Sequence, residues 1–325
     1  MTKTEIHQWI ARCAHPLTTT DPAAPPTDLR PLLDAVRDAE VVAVGSATRQ
    51  AHELAALSHR ILRLLVEDLG FRAVVLEGDD PERLGLGAYL RTGEGDPREL
   101  LADARPFLRL EEVADAVRWL RAYNSAHPDD PVRFVPASPY PPHDRAAGER
   151  AMAQDVIRWH ERTRDKVIYW GGLGHTVSGS ARTTYPTTPP VAHRNVGSHL
   201  REHFGDGYAS VALTFHHGNA PYPIPAPPPG FADTVLAGAG PDAYLLDLRA
   251  DAPEPVRRWL AAPARTRLIG PAYDPADNAA YCLSGGSLAE WCDIVLHFRE
   301  ITPVRFLTPQ HPAPAPGRVV RFRHD

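Results

Sequence analysis

Lysine is almost missing from this chain: of 35 basic residues only Lys3 and Lys166 are lysine, and the rest are arginine. Against 40 acidic residues this leaves a formal charge of -5, which excludes the basic footprint of a protein that grips nucleic acid or an anionic membrane. The arginine bias, with abundant alanine and 34 prolines, has the look of a high-GC coding background. Cysteine is also scarce. Cys13, Cys282 and Cys292 are scattered and form no C-x-x-C pair, which argues against a disulfide framework or a cysteine zinc site. No apolar run approaches the roughly 18 residues of a membrane span, and the N-terminal MTKTEIHQWIARCAH lacks the apolar core of a secretory leader. A cytoplasmic location is expected. There is no fixed-period repeat, so solenoids are excluded. No cofactor is expected either: the chain holds no G-x-x-x-x-G-K-[ST], and Val177 stands where a dinucleotide fingerprint beginning at Gly172-Leu173-Gly174 needs its third glycine.

What is present is the alternation of an α/β protein. At 325 residues the chain can bury a substantial core, and with no linker between dissimilar halves one domain over 1–325 is expected, ending in a Pro-rich tail over 308–325. Strands are expected at Val41–Val44, Phe71–Glu77, Val132–Val135, Lys166–Trp170, Ala209–Phe215, Tyr244–Leu248 and Ile294–Phe298. Between them lie helical patterns at Leu29–Asp38, Ala51–Leu69, Leu110–Asn124 and Arg145–Arg162. Leu54, Leu57, Ile61 and Leu65 recur at three- and four-residue spacing, an apolar stripe for a core. The Pro- and Gly-rich stretches Ala220–Gly230 and Ala262–Pro275 read as surface loops. The fold class expected is α/β, a mixed, mainly parallel sheet with helices on its faces.

Ligands in such sheets sit beyond the carboxyl ends of the strands. Five strand ends carry candidates: Gly45-Ser46-Ala47-Thr48-Arg49; Glu77 with Asp79 and Asp80; Pro136-Ala137-Ser138; Gly171-Gly172-Leu173-Gly174-His175; and Phe215-His216-His217. An arginine, a carboxylate group and imidazoles can then face one crevice. Thr48 also reads as a helix N-cap and Glu53 as a first-turn carboxylate favoured by the helix dipole; His52 reads equally as structural or as a site residue. Tyr169, Trp170 and Phe215 read as core or cleft wall. Two motifs are discounted. His199-Leu200-Arg201-Glu202-His203 spells an inverted zinc-protease pattern but has no third ligand. Gly285-Gly286-Ser287-Leu288-Ala289 lacks the closing glycine of a nucleophile elbow and precedes a strand instead of following one.

The segment VVAVGSATRQAHELAALSHRILRLLVEDLGFRAVVLE from Val41, the GERAMAQDV helix start at Gly148, KVIYW leading to His175, GSHLREHFGDGY at Gly197 and YLLDLR at Tyr244 together resemble the erythromycin esterase family, with its succinoglycan-biosynthesis-like relatives. The resemblance implies an α/β sheet flanked by many helices, with the active cleft at one sheet end. It also implies a Gly-Glu-x-Thr-His signature after the first strand, whose histidine activates water for attack on a lactone ester. Here that glutamate falls on Ser46 and that histidine on Arg49; the family's helix arginine falls on Ser58 and its later aspartate on Ser138. A His-Asn-x-His run falls on Gly172 to His175 and keeps only the last histidine. Glu53 and Glu77 match the pattern.

Arg49 cannot be a general base, because a guanidinium has only donors and stays protonated. The site is therefore expected to be rebuilt: His175, Glu77, Arg49 and His216 carrying catalysis, with Ser46, His52, Glu53, Ser138, Trp170 and His217 around a small natural-product substrate. The first expectation is a tailoring enzyme of secondary metabolism that eliminates, cyclises or isomerises a bulky apolar metabolite by acid–base chemistry. The alternatives are an ester or lactone hydrolase with a relocated base, and a non-catalytic ligand-binding or resistance protein. No nucleic-acid or membrane partner is expected, and oligomeric state is not encoded in any recognisable pattern.

Overall fold

The computed structural model of the chain describes residues 3–138, 144–180, 182–184, 192–270 and 273–307; the Pro-rich tail falls outside them. Its strands, in chain order, are β1 (His15–Pro16), β2 (Val41–Ser46), β3 (Phe71–Leu76), β4 (Arg133–Phe134), β5 (Lys166–Gly172), β6 (Arg182–Thr184), β7 (Ala192–His193), β8 (Tyr208–Asn219), β9 (Pro223–Ile224), β10 (Ala243–Asp247), β11 (Pro263–Arg267), β12 (Cys282–Ser287) and β13 (Ile294–Ile301). The main sheet has the order β1-β10-β13-β8-β2-β5-β3-β4, with β9 paired to β8. From β13 to β4 every neighbouring pair is parallel, while β1 and β10 are antiparallel. A mixed, mainly parallel sheet flanked by many helices is thus the observed fold.

The order places β2 at the sheet's switch point. After β2 the chain moves two places over to β3, then to β4, and returns as β5 between β2 and β3. It then crosses β2 to lay down β8. A crevice opens where successive connections leave in opposite directions, beyond the carboxyl ends of the strands. Side chains alternate across the sheet as strand geometry requires. Val42 and Val44 of β2 and Ile168 of β5 join the larger core, beneath the helix His52–Leu69; Val41, Ala43, Val167 and Tyr169 join a smaller one beneath the helices Arg145–Thr163 and Val196–Phe204. Leu54, Leu57, Ile61 and Leu65 are all fully buried, and Gly70, in the left-handed region at φ 72°, closes the helix with its N–H on the Leu65 carbonyl.

The stretches read as loops required correction. Pro263–Arg267 forms β11, which pairs with β12 in a second, antiparallel sheet of order β11-β12-β6-β7, and Pro223–Ile224 forms β9. The segment PARTR offers no apolar alternation because its pairing is decided by tertiary neighbours: Thr266 and the Arg267 amide both donate to the buried Asp233. Ser287 is the N-cap of a short helix, closed into a capping box by Glu290. Among the described residues no helix is long and apolar enough to cross a membrane.

Candidate active site

The strand ends of β2, β3 and β5, the segment after β4 and the first turns of the helix Arg145–Thr163 enclose a cavity of about 530 Å³. This lies within the range of small-molecule sites. Ser46, Arg49, Glu77, Ser138 and His175, all anticipated from the sequence, line it together with Glu149 and His193.

His175 sits in a four-residue helical turn, Leu173–Thr176, that follows β5 directly. The turn is pinned from three sides. Tyr208 Oη and Ser210 Oγ donate to the Thr176 carbonyl, and Asn195 Nδ2 donates to that of Gly174. A side chain at Gly45 of β2 would collide with Thr176, so the turn can lie against β2 only because that position is glycine. His175 Nδ1 is shielded from solvent and lies 2.7 Å from Glu149 Oε1, whereas a third of the side chain remains exposed. The exposed edge therefore carries Nε2, which lies 3.7 Å from Glu77 Oε1. A carboxylate accepts and cannot donate, so its nearness favours a proton on Nδ1, although the two atoms do not meet hydrogen-bond geometry, and Nε2 is the nitrogen on the Glu77 side.

Glu149 stands one turn into the helix Arg145–Thr163, which Asp144 caps by accepting from the Ala147 amide at 2.9 Å. Its side chain is 1% exposed. Burial alone would raise its pKa. The nearby His175 and His193 imidazoles and the hydrogen bond from the Val196 amide outweigh burial and hold the pKa at about 2. The Val196 amide donates at 2.9 Å to Oε2 from the first turn of the helix Val196–Phe204, where the dipole also favours negative charge. His193 Nε2 lies 3.8 Å from Glu149 Oε1. Glu149 is thus a buried carboxylate, with its pKa lowered, lying between two imidazoles.

On the opposite wall Arg49 bridges two strand ends. It forms an ion pair with the Glu77 carboxylate, Nη1 donates to the Glu77 carbonyl at 3.1 Å, and the guanidinium lies 4.2 Å from the centroid of the Phe107 ring. Glu77 Oε2 accepts from the Gly172 amide at 3.2 Å. Any side chain at Gly171 would collide with the Glu77 carboxylate, so the glycine pair ending β5 makes room for this bridge. Ser138 donates through its amide and hydroxyl to Asp155 at 2.7 and 2.6 Å, anchoring the chain after β4.

The remaining anticipated residues lie elsewhere. His52 contacts the buried Glu112 at 2.7 Å, joining the helices His52–Leu69 and Glu111–Ala126. Glu53 accepts from the amide and hydroxyl of Thr302 at 2.7 and 2.6 Å and so holds the chain leaving β13. Trp170 projects to the other face of the sheet, against the larger core. There it borders a separate cavity of about 30 Å³ behind Arg49 and Phe107. His216 and His217 contact each other, Nδ1 to Nδ1, at 3.0 Å on the part of β8 that runs past the end of β2, and neither lines the cavity. Burial, with His217, Arg267 and Arg299 nearby, lowers the His216 pKa.

The cavity-lining carboxylate that sequence reasoning missed is Glu149. Its signal was the second residue of GERAMAQDV, which was quoted for resemblance and not for chemistry.

The model of the erythromycin esterase family matches residues 66–146 and 138–301. An erythromycin esterase type II of Escherichia coli is 29% identical over 121 residues, 37% of this chain; the match spans only 29% of that protein's length. Two solved structures share the fold at low identity. A succinoglycan biosynthesis protein superposes with a TM-score of 0.79 at 19% identity, covering 94% of this chain and 98% of its own. A mutant erythromycin esterase in its open conformation gives 0.62 at 11%, covering 87% and 96%. With more than half of its length matched by the family model, this chain belongs to the erythromycin esterase family.

Proposed function

We propose that the protein hydrolyses an ester or lactone bond in a small natural product, with His175 as the general base. The observation that carries this reading is the contact of His175 Nδ1 with the buried Glu149, which leaves Nε2 as the basic edge on the cavity. His175 Nε2 takes the proton of a water as its oxygen adds to the acyl carbon. The resulting imidazolium, stabilised by Glu149, returns the proton to the departing alkoxide. Arg49 lines the same cavity, and its guanidinium, although paired with Glu77, is the donor assigned to the oxyanion of the tetrahedral intermediate. Membership of a hydrolase-like family supports water as the nucleophile.

A second reading has support of its own. Ser46 and Arg49 stand where the family resemblance places a glutamate and a water-activating histidine, so His175 Nε2 instead takes a proton from the substrate in an elimination, cyclisation or isomerisation. Turnover of a panel of 4-nitrophenyl esters and macrolactones in ¹⁸O-labelled water separates the two. Hydrolysis places one ¹⁸O in the acid product and disappears in His175→Gln. An unlabelled, ring-closed or dehydrated product favours proton transfer from substrate. Binding without turnover of any member overturns both.

A further inference from the structure

Four arginines and four carboxylates border the cavity, and their pairing is unequal. Arg49 is paired with Glu77 and Arg83 with Asp79. Glu149 is committed to His175 and the Val196 amide, and Asp80 accepts from the backbone amides of Glu82 and Ala137. Asp79 also accepts from the Arg105 amide at 3.1 Å. The side chains of Arg105 and Arg145 are left with no carboxylate at ion-pair distance among the described residues. Among the described residues Arg145 contacts the Thr184 hydroxyl, at 3.5 Å. Both are exposed and both border the cavity, so although four arginines and four carboxylates balance in formal charge, these two guanidiniums stand outside any ion pair among the described residues.

Their placement relative to the base is informative. Arg145 and Glu149 lie four residues apart on one helix, hence on one face and about 6 Å apart at Cβ. Arg105 precedes Phe107, the ring that carries Arg49. Both arginines therefore line the same cavity as His175, one on the helix of Glu149 and one on the segment of Phe107.

From this geometry we propose that the substrate carries a carboxylate a few bonds from the reacting carbonyl, and that Arg105 and Arg145 bind it at the cavity mouth. The proposal rests on the cavity being the substrate site, as argued above, but not on hydrolysis. An apolar metabolite without an anion would leave both arginines unanswered, whereas a carboxylate accepts charge-assisted hydrogen bonds from each.

The test uses two uncleaved anilides of matched size, N-(4-nitrophenyl)succinamic acid and N-(4-nitrophenyl)butyramide. Binding to the intact protein is measured by calorimetry at low salt. The acid is expected to bind about tenfold more tightly than the butyramide, an advantage reduced for solvent exposure and falling with added salt. In the double variant R105Q/R145Q, whose sites are exposed and outside the core, the ratio should approach one. Equal affinities in the wild type, or an advantage that survives the double substitution, overturns the proposal. Because no bond is cleaved, a hydrolysis reading that fails in labelled water leaves this result intact.

Discussion

The carboxyl edge of the sheet has two halves built from similar residues with opposite outcomes. On the β5–β3–β4 side the strands stop nearly in register: Ser46 pairs with Gly172 and Leu76 with Trp170, and the chain turns away. On the β8–β13 side, Ser46 pairs with Leu213, yet β8 continues to Asn219, β13 accompanies it to Ile301, and β9 pairs with its last residues. The first half encloses the cavity with His175, Glu77, Glu149 and Arg49. The second is tied up in contacts among its own side chains. Arg267 lies over the Phe215 ring, Thr214 contacts His297, and Asp233 binds Thr266 and the Arg267 amide. Histidine, arginine and carboxylate occur in both. A site forms only where strands end early and glycine backbone leaves space for side chains to converge.

The largest expected effect tests whether the open half is chemical. His175→Gln should lower turnover by about 10²- to 10⁴-fold, the range typical of a lost general base. Glu149→Gln should come close to it, because a neutral amide can present its NH₂ to Nδ1 and select the wrong tautomer. Both are read as kcat on whichever ester the labelled-water panel identifies, with denaturant unfolding as the control for folding. If Glu149→Gln keeps full kcat, the orienting role is lost and the open half resembles the packed one.

Next is the bridge that shapes the cavity wall. Glu77→Gln removes the carboxylate that Arg49 bridges on a largely buried wall, and should cost about 2–3 kcal/mol in urea denaturation, below the full penalty for a wholly buried pair. Replacing both, as Arg49→Met with Glu77→Gln, should recover much of that stability, since breaking such a pair is worse than removing it. A double variant no more stable than Glu77→Gln alone would show that the bridge is not what the loss reports.

The sequence made the strand ends legible and much of the open half with them, because β-rich runs followed by glycine and polar residues have a local signature. It did not reveal which ends stay open. That depends on how far β8 and β13 extend, set by cross-strand pairing among residues far apart in the chain. Trp170 was assigned to the cleft although strand alternation turns it to the other face, away from Gly171 and the Glu77 carboxylate. Glu149 was hidden for a related reason. Its helix carries Glu149, Arg150, Asp155, Arg158 and Glu161, and nothing local distinguishes the one carboxylate that the helix Val196–Phe204 will cover. Glu53 was chosen on resemblance, yet its nearer function, holding Thr302, joins elements 249 residues apart.

The two halves should also differ in how stability follows pH, a smaller effect. Glu149 has its folded-state pKa depressed from 4.5 to about 2. Its contribution is present above the unfolded value and lost as pH falls from about 4.5 through 2. Asp233 is the reverse. Complete burial raises its pKa from 3.8 to about 6, although hydrogen bonds from the Arg267 amide and Thr266 and the Arg267 charge oppose the rise. The folded state then holds a proton that the unfolded state releases, so this contribution is greatest below pH 3.8 and declines as pH rises through 6. Unfolding free energies between pH 4 and 7 should therefore lose in Asp233→Asn a decline present in the wild type. Glu149→Gln should alter the profile only below about pH 4.5. An Asp233→Asn curve parallel to the wild type throughout would mean that the carboxyl titrates as if exposed.

The smallest expected effect is the sharpest test of the comparison. His216 and His217 were attractive in the sequence as adjacent imidazoles at a strand end, and one of them as an acid–base catalyst. In the structure β8 carries them beyond the end of β2. There they contact each other at 3.0 Å, and His217 pairs in register with Glu300 of β13. Burial, His217, Arg267 and Arg299 all lower the His216 pKa, which disfavours its charged form. A mutually engaged pair outside the cavity lining is not placed to reach a substrate bound at His175. His216→Ala and His217→Ala should each leave kcat and KM within about twofold while changing stability by about 1 kcal/mol, as expected for half-buried side chains away from the chemistry. A drop of tenfold or more in kcat for either would move the chemistry to the packed half, and with it the claim that early strand ends, and not residue type, decide where this fold reacts.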